Sequence, residues 1–300
     1  MSNSFIYPKH DGLLYDPRYE HDGCGVGFVA DISGKRSHSI LERALEAVIN
    51  LTHRGAASAD GKSGDGAGIL TQIPQALFRD EALKLDSSIP SDMEIAVGMI
   101  FLPPSNQTGQ MNTQALIELI EKVCHQNKIP VIGWRKVPID PTALGNKAQS
   151  EMPDIRQILL RQPADIKDGD EFERILYLTR KTIERLANEQ ALENFYIPSF
   201  SHRTIVYKGL LVAPQLAHFY YDLQNSHYQT SLAVFHQRYS TNTFPTWALA
   251  QPFRFLAHNG EINTLQGNEN SLRAREAELT SPVWGNRITD LLPIVWKDGS

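Results

Sequence analysis

The sequence predicts an α+β protein built from layers of strands and helices. Strands and helices are interleaved along the chain, the helices are few, and several strands follow one another with no helix between them. This pattern favours layers packed around a shared core, as in a sandwich. The chain has 300 residues, of which 41% are hydrophobic, so it can bury a sizeable core.

Strands are predicted from short runs of β-branched and aromatic residues. The first run, 25–31, opens with the sequence Gly-Val-Gly. The others are 69–73, 94–102, 131–137, 196–201, 204–207 and 232–239.

Helices are predicted where apolar residues recur at a spacing of three or four. In the first helix, Ser39 and Glu42 fit a capping box at its start, and Gly55 is placed to end it. Two more are expected near 115–123 and 172–186, and a more polar one at 263–279. The segments 56–68, 103–112 and 140–154 have the composition of loops.

Composition and charge exclude several classes of protein. The 29 Lys and Arg against 34 Asp and Glu give a net charge of −5, so a nucleic-acid surface is not expected. No apolar run reaches the length of a membrane span, and residues 1–23 lack the regions of a signal peptide. Two cysteines are too few for a disulfide framework or a four-ligand zinc site, and Cys124 is interpreted as structural. We therefore expect a soluble, cytoplasmic protein without nucleic-acid, membrane or metal partners.

The first candidate for chemistry is Cys24. A free cysteine is most often a small buried hydrophobe. Here Gly23 and Gly25 flank it and Gly27 follows, and glycines in a strand are useful where another group must approach the backbone. Cys24 is therefore a candidate nucleophile, with a place in the core as the alternative.

Two later segments carry groups suited to bind anions. Arg238 stands at a strand end, and its guanidinium offers a planar fork of donors for a carboxylate, with an ordinary ion pair as the alternative. Asn259 and Gly260 follow His258 and form a typical turn dipeptide, but their amide and N–H are also the two adjacent donors that an oxyanion site needs. The glycine-rich segment 64–68 lacks the lysine and hydroxyl residues of a P-loop.

Taken together and in order, five short segments resemble the class II glutamine amidotransferases, and within that family the glutamate synthases. They are Cys24-Gly-Val-Gly-Phe, Leu51-Thr-His-Arg-Gly-Ala, Ser63-Gly-Asp-Gly-Ala-Gly, Gln237-Arg-Tyr-Ser-Thr-Asn-Thr-Phe-Pro and Leu256-Ala-His-Asn-Gly-Glu-Ile.

The resemblance implies a fold, a domain organisation and a site. The fold is a four-layer αββα sandwich of the N-terminal nucleophile hydrolase type. Residues 1–23 are expected to be a propeptide removed on maturation, and 24–300 the amidotransferase domain, truncated at its C-terminus. The implied site consists of the nucleophile Cys24, the oxyanion donors Asn259 and Gly260, the α-carboxylate ligand Arg238, and Thr241 and Arg54 near the glutamine pocket.

The resemblance also implies chemistry outside this segment. Ammonia released from L-glutamine would pass to 2-oxoglutarate in the synthase domains of the full-length chain, which use FMN and a 3Fe-4S cluster. Electrons would come from ferredoxin or from a small partner subunit with FAD. No cofactor is expected in the segment itself, because it lacks the cysteine spacing of a cluster and a flavin site.

Three alternatives remain open at this point. Another class II amidotransferase would supply ammonia to a sugar-phosphate or aspartate substrate. A papain-like hydrolase would pair Cys24 with a histidine such as His258. A non-catalytic interaction domain would place Cys24 in its core.

Overall fold

A computed structural model describes residues 25–90, 92–104, 113–192, 194–238, 244–258 and 264–295. These ranges contain eight strands: β1 (Val26–Ala30), β2 (Ala67–Gln72), β3 (Ile95–Leu102), β4 (Val131–Lys136), β5 (Asp154–Arg161), β6 (Tyr196–Ser201), β7 (Thr204–Gly209) and β8 (Leu232–Gln237). They also contain seven α-helices: α1 (His38–Asn50), α2 (Gln75–Leu85), α3 (Thr113–Gln126), α4 (Asn146–Ser150), α5 (Gly169–Glu189), α6 (Leu216–Phe219) and α7 (Leu265–Glu276). No helix in the described ranges is long and apolar enough to cross a membrane.

The strands form two antiparallel sheets. The first has the order β1-β8-β2-β7 and the second the order β4-β5-β3-β6. In the first sheet, Phe235 of β8 lies between Gly27 of β1 and Ile69 of β2. Because the strands alternate in direction, the starts of β1 and β2 lie beside the ends of β8 and β7 at one end of this sheet.

Two clusters of buried side chains form the core. The larger one joins α1 and α2 with residues of both sheets, including Ile69 and Phe235 of the first sheet and Val97 and Leu159 of the second. The smaller one packs α3 and α5 against the second sheet. The predicted α+β sandwich, with helices against both sheets, is confirmed.

A buried polar network connects the two sheets. Arg135 of β4 donates to both carboxylate oxygens of Asp222, at 2.9 and 3.0 Å, and to Gln157 of β5 at 2.8 Å. Tyr207 of β7 donates to Asp222 at 2.7 Å and accepts from Gln157 at 3.1 Å. Burial lowers the pKa of Arg135, but the hydrogen bonds and charge of Asp222 outweigh this effect and raise it overall. The network therefore fixes the two sheets through groups that satisfy one another.

Helix α2, strand β5 and the short helices α4 and α6 were not predicted. Helix α2 has a weakly amphipathic sequence, so its periodicity is difficult to recognise. Strand β5 contains Arg156 and Gln157, and a polar run after a predicted loop does not indicate a buried strand. Part of the predicted loop 140–154 is the short helix α4.

The predicted ends of the first helix were wrong. The helix begins at His38 rather than after Ser39, and its N-cap residue Ser37 makes no side-chain capping bond. It ends at Asn50, and a 3₁₀ turn, Thr52–Arg54, follows before Gly55. Gly55 has an extended backbone with φ of −102°, so it does not act as a left-handed cap.

Replacing Asp222 by alanine is expected to destabilise the chain by about 3–5 kcal/mol, because the buried Arg135 would lose its two-point carboxylate partner and keep only its ion pair with Glu81 at 3.1 Å. Urea unfolding measures the effect. The matched control is Glu189→Ala, which removes an exposed ion pair with Arg185 and should cost less than about 1 kcal/mol. Equal effects of the two substitutions would contradict the stabilising role of the network.

Cys124 is expected to resist alkylation in the folded chain. It is fully buried in α3, and burial, together with the charge of Glu121, raises the pKa of its thiol to about 12. The thiolate is the reactive species. At pH 8, iodoacetamide followed by peptide mass analysis should leave Cys124 unmodified, and should modify it fully in urea. Rapid labelling without urea would show that α3 does not protect the thiol.

Candidate functional site

One end of the first sheet collects the segments singled out in the sequence. The N–H of Gln237 donates to Gly25 O at 2.8 Å, and the N–H of Arg238 donates to Gly66 O at 2.8 Å. Both bonds extend the strand pairing past the ends of β1 and β2. Arg238 is thereby held between the residue that follows Cys24 and the glycine-rich loop before β2.

Arg238 is a buried cation at this end. Its side chain is 8% exposed, and its Nη1 donates to the carbonyl of Leu249 at 2.6 Å. Burial lowers the pKa of Arg238, and the charge of Asp65 opposes the shift. An arginine remains protonated at neutral pH even after such a shift. The site therefore holds a fixed positive charge that is suited to bind a carboxylate.

Arg54 is near the same end of the first sheet, because the next residue, Gly55, packs against Gln237 of β8. A Cβ built on Gly55 would lie 2.0 Å from Nε2 of Gln237, so a larger residue here would require the Gln237 side chain to move. Gln237 in turn accepts from the N–H of Ala213 at 2.6 Å. Arg54 ends the 3₁₀ turn directly before Gly55 and is partly buried.

The glycine-rich loop packs against the chain itself. A Cβ on Gly64 would lie 2.2 Å from the carbonyl oxygen of Leu211. Asp60 accepts hydrogen bonds from the N–H groups of Lys62 and Ser63 and from the Ser63 hydroxyl. These bonds, first of all the one from the Ser63 hydroxyl, lower the pKa of Asp60 well below its usual range. The loop is therefore a rigid support rather than a phosphate cradle.

The segment 244–258 is tied to the sheet at several points. The buried Trp247 packs its ring against Phe101 and Phe219. Lys208 of β7 donates to the carbonyls of Ala248 and Ala250. The side chain of Gln251 accepts from the N–H of His258 at 2.7 Å. The backbone is thus fixed up to the residue directly before Asn259.

Two of the six predicted site residues lie in the described part of the chain. These are Arg54 and Arg238, and the structure brings their segments together. The other four, Cys24, Thr241, Asn259 and Gly260, lie outside the described residues, although the neighbours Gly25 and His258 are placed.

Lys208 and Gln251 were not predicted from the sequence as residues of this site. Lys208 could have been noticed, since a lysine within the apolar run 205–211 must be either an edge residue or a buried cation. Gln251 offers no comparable signal, because its side chain is used only to hold a distant backbone N–H.

Comparison with known families shows which family this chain belongs to. Residues 24–300 match the family described as class-II glutamine amidotransferases. The chain belongs to this family. The match spans all five of the segments that carried the resemblance.

Known members of this amidotransferase family include long synthases. The chain is 44% identical over 281 residues to the NADPH-type glutamate synthase large chain of Azospirillum brasilense, covering 94% of this chain and 18% of that protein. It is 44% identical to the NADH-type glutamate synthase of Saccharomyces cerevisiae, and the match covers 98% of this chain and 14% of that protein. It is 44% identical to the ferredoxin-dependent glutamate synthase 2, chloroplastic, of Arabidopsis thaliana, and the match covers 94% of this chain and 17% of that protein. The chain thus spans less than a fifth of these relatives, and its similarity to glutamate synthases is confirmed.

The described residues of this amidotransferase chain do not fit an iron–sulfur cluster. No group of three or more His, Cys, Asp or Glu side chains in the described ranges is placed to hold a metal ion. Cys124, the one described cysteine, is buried in α3. Clusters of this kind are held by several cysteine thiolates.

The Gly64→Ala substitution is expected to destabilise the chain by about 1–3 kcal/mol, because its Cβ would meet the backbone of Leu211 and the loop must shift. Urea unfolding measures the change. Gly267→Ala in α7 is the control, since its Cβ meets only a 3.7 Å contact and alanine favours a helix. A Gly64→Ala chain as stable as this control would show that the loop tolerates a side chain.

Proposed function

We propose that this chain hydrolyses L-glutamine to L-glutamate and ammonia as the glutaminase part of a glutamate synthase. The observation that carries the proposal is the buried Arg238, fixed one strand away from the residue that follows Cys24. A carboxylate ligand close to Gly25, the residue that follows a candidate nucleophile in the sequence, suits an amino-acid amide as substrate. Family membership supports the same chemistry.

In the proposed mechanism, residues 1–23 are removed and Cys24 becomes the first residue. Its free α-amine then has a pKa near ~8 and takes the thiol proton at neutral pH. The sulfur attacks the side-chain carboxamide carbon of glutamine. When the C–N bond breaks, the proton returns to the leaving nitrogen and ammonia is released. Water then hydrolyses the thioester to give glutamate.

The other predicted residues have positioning and stabilising roles in this proposal. Arg238 binds the α-carboxylate of glutamine. Asn259 and the N–H of Gly260 stabilise the tetrahedral oxyanion. Thr241 and Arg54 contribute to binding glutamine. Asn259 and Gly260 directly follow His258 in the sequence, and Thr241 comes shortly after Arg238. Both His258 and Arg238 lie in the described part of the chain.

In the full-length protein, we propose that the ammonia passes to 2-oxoglutarate in separate synthase domains. Those domains would hold FMN and a 3Fe-4S cluster, and electrons would come from a small subunit or from ferredoxin. The names of the relatives support either donor, since NADPH-, NADH- and ferredoxin-dependent forms match equally well. A cytoplasmic location is also part of the proposal.

The Cys24→Ala variant is expected to lose glutamine-dependent turnover while the intact synthase still uses added ammonia. Intact mass should show that the wild-type protein begins at Cys24 and that the variant keeps residues 1–23, because the thiol attacks the Gly23 carbonyl. Ammonia-dependent activity is the internal control for folding.

Each alternative predicts a different result. A papain-like enzyme would keep its leader in the active state and would lose activity on His258→Ala. Glutamine-dependent activity in Cys24→Ala would show that the nucleophile is wrong. Transfer of ammonia to a sugar phosphate or to aspartate, rather than to 2-oxoglutarate, would indicate another amidotransferase.

A further inference from the structure

Lys208 is a fully buried lysine at the functional end of the first sheet. Its side chain has 0% exposure, and it pairs in register with Gly68 of β2. Its Nζ lies 4.5 Å from the ring centre of Tyr196 and 4.8 Å from that of Phe253. Burial lowers the pKa of Lys208 well below its usual value, and the positive charges of Arg254 and Arg238 add to the effect. An apolar side chain of similar length would fill this space without that cost, so the amine must serve a specific contact.

That contact is a single turn of chain, 246–250. The N–H of Ala250 donates to Thr246 O at 3.1 Å, and the N–H of Leu249 donates to the Thr246 hydroxyl at 3.2 Å. The last carbonyls of such a turn have no partner within it, and they carry its negative dipole end. Lys208 Nζ donates to two of them, Ala248 O at 2.7 Å and Ala250 O at 2.6 Å.

The carbonyl between these two holds Arg238. Leu249 O accepts from Arg238 Nη1 at 2.6 Å. Three consecutive carbonyls are therefore divided between two basic side chains, with Lys208 on the outer two and Arg238 on the middle one. Because the three carbonyls belong to one rigid turn, the position of the Arg238 guanidinium depends on the two bonds from Lys208.

The sheet is shaped to receive this turn. A Cβ on Gly68 would lie 2.6 Å from Gln251 O, and one on Gly209 would lie 2.4 Å from the Trp247 ring. The glycines on both sides of Lys208 therefore allow the chain at 247–251 to lie close to the strands. Without the lysine, packing alone would bring the turn near the sheet but would not direct its carbonyls.

We propose that Lys208 is a positioning residue that orients Arg238 for the substrate carboxylate through the carbonyls of Ala248 and Ala250. The inference rests on the proposed glutaminase function. Lys208 does not contact the substrate in this account. Its removal should weaken binding of the amino-acid end of glutamine rather than slow the bond-breaking step.

The test uses the intact protein and the variants Lys208→Met and Lys208→Gln. We expect Lys208→Met to raise the KM for glutamine about tenfold or more with less than about a threefold change in kcat, since charge-assisted hydrogen bonds are lost. Lys208→Gln retains an NH2 donor group on a shorter side chain and should give a smaller rise. If the Met variant fails to fold, the Gln variant decides the question by the same split between KM and kcat.

The matched control is Lys181→Met. Lys181 is another buried lysine whose Nζ donates to a backbone carbonyl, that of Pro293 at 2.6 Å. It lies on α5, outside this sheet end. It should show a similar change in thermal stability with an unchanged KM. A rise in KM in this control equal to that of Lys208→Met would show a general effect of lost stability and would overturn the inference.

A double-mutant cycle with Arg238→Met tests the route of the effect. If Lys208 acts through Arg238, adding Lys208→Met to Arg238→Met should change kcat/KM by less than about twofold. Losses that multiply would show that Lys208 acts independently, and a wild-type KM in Lys208→Met would also overturn the inference. If the wild-type protein does not hydrolyse glutamine, the proposed function is wrong, and this result is distinct from a failure of the inference about Lys208.

Discussion

The central position of β8 is the constraint on which the site depends. This strand pairs with β1 on one side and β2 on the other, and it continues past both as Arg238. A slip of one residue would turn Phe235 out of the core and move Arg238 to the other face of the sheet. The burial of Phe235, at 4% exposure, therefore fixes the register that also places the cation. Core packing and site geometry are determined by the same pairing.

Glycines around this strand make the convergence possible. Gly55 makes room for Gln237, and Gly64 makes room for the carbonyl of Leu211. A glycine-rich loop is easily interpreted as a place for a ligand phosphate. In this chain the atoms that approach are those of the protein itself, so the glycines shape the site indirectly by bringing separate segments together.

Much of the fold could be predicted from periodicity, and the failures have a common cause. Strands such as β3 and the helix α5 were found because their apolar spacing is local. Strand β5 was missed because Gln157 resembles a surface residue, and only its partners Arg135 and Tyr207 from other strands make its burial favourable. Gly55 was assigned to a helix end because its true neighbour, Gln237, is far away in sequence. The candidate site shows the same difference between local patterns and contacts with distant residues. Arg238 was identified from its local pattern. The apolar run around Lys208 indicates a buried or edge lysine, but not its contact with a carbonyl 40 residues further along the chain.

The electrostatics of Arg238 explain why such a site favours an anion. Its guanidinium loses hydration on burial, and this loss outweighs the attraction of Asp65, as the lowered pKa of Arg238 indicates. The carbonyl of Leu249 compensates as a dipole but adds no negative charge. A carboxylate that reaches Arg238 interacts with it in a medium of low dielectric, where each charge pair is stronger than at the surface. In the proposed function, the carboxylate of the substrate would offset the cost of burying the Arg238 guanidinium.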